Sequence, residues 1–122
     1  MKYFLLIVLL IVSCTPINTV QEGPAKIDVY FCPHDECQEK IIGLIDRSTD
    51  IKCAFYELNL PELIKRLKEK KAEVVIEDSN ALEEFYTGYS SALMHNKFCV
   101  FDNKTVLTGS MNPTERGNYY NN

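Results

Sequence analysis

Glycine and proline are scarce, five of each in 122 residues, which is too few for a fibrous chain or a long flexible linker. No internal repeat and no low-complexity segment is visible, so repeat arrays are excluded as well. Positive charge is also short: 13 Lys and Arg against 17 Asp and Glu leave a formal charge of −4. A nucleic-acid binder held by bulk charge alone is therefore excluded. The longest apolar run, Tyr3 to Val12, would span about 15 Å as a helix, half of a hydrocarbon core. What is present suits one folded domain, with 46% hydrophobic and 25% charged residues.

Lys2 ahead of the apolar run and Ser13-Cys14-Thr15-Pro16 behind it mark Met1–Ser13 as a signal peptide rather than a buried helix. Ile11-Val12-Ser13-Cys14 resembles a prokaryotic lipobox, in which the cysteine is acylated and becomes the new amino terminus. Cys14 is then the lipidation site and residues 14–25 form a polar tether to the outer face of the cell membrane. Cleavage nearby and release of an exported protein is the alternative. Residues 26–122 remain as the domain.

Four cysteines are left, an even number that outside the cytoplasm points to disulfides. Cys32-Pro33-His34-Asp35-Glu36-Cys37 turns sharply between a strand and a helix, so Cys32 and Cys37 are the expected pair. Cys53 and Cys99 lie in apolar strand contexts and are expected to be buried thiols, a second bridge between them being the alternative. A zinc site on Cys32, His34 and Cys37 lacks a fourth ligand, because the other histidine, His95, has a better role; no metal or other cofactor is expected.

Alternation in Lys26–Phe31 predicts a first strand, and Cys37, Ile41, Leu44 and Ile45 predict a helix from Asp35 to about Arg47. Asp50–Glu57 reads as a strand, and Pro61 opens a helix through Lys70. Ala72–Ile76 contains the run Val-Val-Ile, expected for a strand buried on both faces of a parallel sheet. Ser79–Leu93 reads as a loop or broken helix. Strands His95–Phe101 and Thr105–Gly109 follow, joined by a tight turn at Asp102-Asn103-Lys104. The order of elements predicts an α/β fold: a mixed, mostly parallel β-sheet flanked by helices.

On a strand, residues two apart share a face, so His95 and Lys97 project together, and Ser110 and Asn112 can do so beyond the partner strand. A hairpin thereby gathers an imidazole, an ammonium, a hydroxyl and a carboxamide. That is a nucleophile or proton carrier among donors for an anionic oxygen, as phosphodiester chemistry requires. No carboxylate cluster suited to a divalent metal accompanies them, so a metal-independent mechanism is expected.

The full spacing, His-x-Lys-x4-Asp-x6-Gly-Ser-x-Asn, runs through His95, Lys97, Asp102, Gly109, Ser110 and Asn112. Its chance occurrence in a chain this long is on the order of one in a million. It resembles the HKD motif of the phospholipase D superfamily, specifically the short exported or membrane-anchored nucleases that carry one motif. The resemblance implies that His95 attacks phosphorus and forms a phosphohistidine. It implies that Lys97, Ser110 and Asn112 bind the phosphoryl oxygens and that Gly109 leaves backbone room beside them. Asp102 completes the motif, with a structural role expected from its place at the turn. A second histidine must protonate the leaving oxygen, which single-motif members supply by forming a homodimer. Family members continue into another strand, with a Glu that orients the histidine, and a closing helix. This sequence ends at Asn122, and Glu115 falls too early to substitute, so the last strand and helix are expected to be missing.

The expected function is thus a metal-independent phosphodiesterase, an endonuclease acting on DNA or RNA. The alternatives are a phospholipid headgroup hydrolase and an inactive truncated remnant that binds phosphate ligands or a partner.

Overall fold

The computed structural model describes residues 23–89 and 91–120; the expected signal peptide, Met1–Ser13, and Cys14 lie outside the described residues. Helix α1 (Cys37–Arg47) turns Cys37, Ile41, Ile42 and Ile45 to the core. Strand β1 (Ile51–Phe55) buries every second residue, Ile51, Cys53 and Phe55. Helix α2 (Pro61–Glu69) starts on a proline, whose missing N–H costs nothing at that position, and buries Leu63 and Leu67. Strand β2 (Glu73–Glu77), a single 3-10 turn (Asp78–Asn80) and the short strand β3 (Tyr86–Gly88) follow. Strands β4 (Lys97–Phe101) and β5 (Thr105–Thr108) form a hairpin, and helix α3 (Glu115–Tyr119) comes last.

The sheet has the order β3-β2-β1-β4-β5. Its β3, β2 and β1 strands run parallel, whereas β1, β4 and β5 are joined antiparallel, so the sheet is mixed and flanked by helices as expected for α/β. The core lies between Ile41, Ile45, Leu63 and Leu67 of the helices and Cys53, Phe55, Val74, Ile76, Cys99 and Phe101 of the sheet.

Three expectations need correction. Lys26–Phe31 forms no strand, and Ile27, Val29 and Phe31 are 82%, 66% and 73% exposed. Alternation prepares a segment for a sheet, but its backbone groups need an edge to pair with, and this segment pairs with neither β3 nor β5. Strand β2 is not buried on both faces, because the pleat sends Val74 and Ile76 to the core and leaves Val75 half-buried between Ala54 and Tyr86. The stretch Ser79–Leu93 is not wholly irregular, since Tyr86–Gly88 pairs with β2.

Cysteine pairing brings the fourth correction. Cys32 and Cys37 are joined, but so are Cys53 and Cys99, which are not free thiols. The β1–β4 register explains the second bridge. Tyr56 N–H bonds to Asn96 O at one end of the join and Asp102 N–H to Asp50 O at the other. Even-numbered β1 residues therefore sit in hydrogen-bonded pairs and odd-numbered ones between them, where opposed Cα atoms come closest. Cys53 faces Cys99 in such a pair, with Cα atoms 4.1 Å apart. Each cysteine taken alone in sequence looks like a small apolar core residue; only the register makes them partners.

The bridge closes a loop of 46 residues. Replacing both cysteines by alanine is expected to lower unfolding free energy by about 2–4 kcal/mol in urea denaturation. An unchanged midpoint would contradict this assignment.

Candidate active site

The parallel strands β1 and β2 end together, Phe55 beside Ile76, and β4 begins at that same edge with Lys97 opposite Phe55. Ligand sites in α/β sheets gather at the carboxyl ends of parallel strands, because chain leaving the ladder there is free to carry function. His95 lies in the segment that enters β4 and stands two residues before it, outside the ladder, not within a strand as expected. It is nevertheless joined to Lys97: the lysine Nζ lies 3.0 Å from His95 Nε2 and also donates to His95 O at 3.2 Å. An ammonium has donors only, so in this contact Nε2 is the acceptor. Burial holds the Lys97 ammonium below the ordinary lysine pKa.

Tyr56, the residue after β1, packs its ring on both groups. Its centroid is 4.6 Å from that of His95, edge to face, and Lys97 Nζ stands 5.3 Å from it in a cation–π contact. Sequence reading passed over Tyr56 as part of a strand. Glu77, also outside the motif, is a buried carboxylate at the end of β2 that accepts a 2.8 Å hydrogen bond from Met94 N–H, next to His95. Glu115 is exposed, and its N–H bonds to Asn59 Oδ1.

Asp102 lies at the other end of β4, in the hairpin turn. Asp102 and Asn103 have φ of 52° and 53°, and Lys104 N–H returns to Phe101 O, the pattern of a turn that Asp and Asn tolerate well. Asp102 Oδ1 accepts from the backbone N–H groups of Asp50 and Thr49 and from Thr49 Oγ1. These bonds, the Asp50 N–H foremost, hold its carboxyl below the usual carboxylate range. The residue ties the hairpin to the turn between α1 and β1.

The remaining motif residues follow β5. Phe98 faces Thr108, so Gly109 and Ser110 leave the sheet just past the end that bears Lys97. Both are exposed, and a Cβ on Gly109 would meet nothing within 4 Å. Asn112 is half-buried, and its buried Oδ1 has no hydrogen-bond partner among the described residues. Neither Ser110 nor Asn112 touches His95 or Lys97 by a hydrogen bond. Asn112 does not cap α3. That role belongs to Thr114, whose Oγ1 accepts from Gly117 N–H at 3.0 Å. Gly117 lets α3 lie against Asn112, since a Cβ there would collide with the Asn112 carbonyl oxygen.

The comparisons agree with this fold. The family model described as cardiolipin synthase, PLD-like domain matches residues 23–122. The chain belongs to the phospholipase D superfamily. Two solved structures share its fold. Nuc from Salmonella typhimurium, a phospholipase D family member, superposes with a TM-score of 0.65 at 22% identity over 73% of this chain and 72% of its own. NucT from Helicobacter pylori does so with 0.57 at 17% identity, over 73% of this chain and 76% of its own. No curated protein matches the sequence. For this superfamily member the motif thus divides in two: His95 and Lys97 in direct contact at the start of β4, and Asp102 clamping the hairpin at its far end.

The Asp102 clamp has a signed pH dependence. Its folded pKa is depressed, so its contribution is complete above about pH 4, the ordinary Asp value, and is lost as pH falls through the folded value. Thermal unfolding of Asp102→Asn is expected to show a lower midpoint at neutral pH and a weaker loss of stability on acidification. A parent and variant with parallel pH profiles would contradict it.

Proposed function

We propose that the chain is a phosphodiesterase that cleaves nucleic acid, DNA or RNA, through a phosphohistidine on His95. The observation that carries this reading is the 3.0 Å contact between the exposed His95 Nε2 and Lys97 Nζ where β1 ends and β4 begins. In this reading a phosphodiester draws Lys97 onto a non-bridging oxygen and leaves the Nε2 lone pair facing phosphorus. The Nε2–P bond forms and the bond from phosphorus to the leaving oxygen breaks. Charge on the phosphoryl oxygens is met by Lys97, Ser110 and Asn112, while Gly109 leaves room beside them. Water then attacks phosphorus, its proton passing to the histidine that protonated the leaving oxygen, and the N–P bond breaks with its electron pair returning to Nε2.

The leaving oxygen needs a proton, and a homodimer would bring His95 of a second copy to give it. An open edge suits a polymer that lies across it better than a small enclosed ligand. Two hollows of about 400 and 480 Å³ lie on α2 and beside β3, and neither is lined by His95. Tyr89 follows Gly88, whose Cβ position faces the Met94 side chain, and is 82% exposed, as a base-stacking ring would be. A lipid on Cys14 would hold the enzyme at the outer face of the membrane.

Single-stranded and duplex nucleic acid and phospholipid vesicles serve as parallel substrates. Nucleic acid is expected to be cut, with His95→Asn and Lys97→Ala each lowering kcat/KM by at least about 1,000-fold and a chelator leaving the rate unchanged. The alkaline limb of the rate is expected below the ordinary lysine range, because burial lowers the Lys97 pKa. Hydrolysis of vesicles alone would overturn the nucleic-acid reading, and cleavage undiminished in His95→Asn would overturn the site.

A further inference from the structure

We propose that Tyr56 and Glu77, neither of them in the motif, are positioning residues that set the His95 imidazole for attack. The inference rests on the reading above, in which His95 is the nucleophile. Phe55 pairs with Ile76 across the parallel join, so the next residues along, Tyr56 and Glu77, stand side by side at the carboxyl ends of β1 and β2. The segment carrying His95 passes this edge before it enters β4. Its backbone shares in the β1–β4 bonding only at Asn96, so His95 depends on anchors placed to either side of it.

Its anchors straddle the histidine. On one side Met94 N–H donates to Glu77 Oε2 at 2.8 Å; on the other, Asn96 O accepts from Tyr56 N–H at 2.7 Å. The Tyr56 ring then sets the imidazole plane from the side, and it also touches Lys97. Tyr56 is itself held, because Asn80 Nδ2 donates to its carbonyl at 3.0 Å. Glu77 is 9% exposed, and a carboxylate stripped of water needs a compensating donor; the Met94 amide is that donor. Two backbone pins and one ring thus fix the position and plane of a side chain that is otherwise exposed.

The test uses the full chain with isotope-labelled histidine. Its two histidines, His34 and His95, are told apart by the His95→Asn spectrum. Tyr56→Leu is expected to move the His95 ring signals while leaving those of His34 in place, and Tyr56→Phe to restore them. The Leu variant should lose about 100-fold in kcat, as a small misplacement of a reacting group does, with KM little changed. Glu77→Ala should abolish slow exchange of the Met94 amide and lower kcat similarly, whereas Glu77→Gln, which still offers an acceptor, should retain both. If Glu77→Ala fails to fold, Tyr56→Leu on its half-buried side chain decides.

Unmoved His95 ring signals with parental kcat in Tyr56→Leu would overturn the proposal. So would a loss of kcat accompanied by equal movement of the His34 signals, which marks general unfolding. If the unaltered chain hydrolyses no phosphodiester, the functional reading fails, and the ring signals still decide whether these residues hold the imidazole.

Discussion

The antiparallel join between β1 and β4 is the constraint on which the rest depends. It unites a parallel half-sheet, built by the two helices, with the hairpin that bears the motif. Its register sets Cys53 against Cys99, brings Lys97 beside the end of β1, and carries Asp102 to the turn before β1. A slip by one residue would turn Cys99 and Phe101 away from the core and reverse the face on which Lys97 stands. Register and site are therefore one fact: the packing that buries Cys99 and Phe101 also aims the end of the strand that bears Lys97.

The two ends of β4 are held by different means. At the turn, Asp102 is an ionised acceptor satisfied by fixed backbone donors, which makes that end rigid without large burial. At the other end, the His95 segment is held by a buried carboxylate and an aromatic ring, and the imidazole stays exposed beside a half-buried Lys97. Rigidity is thus concentrated beneath and behind the imidazole. That division suits the proposed nucleophile, which must be both aimed and reachable.

Much of this was legible in the sequence. The helices showed their buried stripes at Ile41, Ile45, Leu63 and Leu67, and the motif spacing named both His95 and Lys97. Asp102 could be assigned to a turn because Asp-Asn-Lys between two alternating runs leaves little else. What could not be read depends on long-range pairing. Lys26–Phe31 has a strand's alternation, but whether an edge receives it is not a local property. Cys53 and Cys99 are 46 residues apart and look like core thiols until the register opposes them. Tyr56 and Glu77 carry no motif; their relation to His95 arises only because two parallel strands end beside the segment that enters a third.

The most direct test of the central claim is to trap the covalent intermediate. Rapid denaturation during turnover of a labelled oligonucleotide, followed by mass spectrometry of the peptides, should find a nucleotide fragment joined through phosphorus to His95 and none in His95→Asn. Steady turnover with no adduct on His95, or an adduct on another residue, would contradict the account.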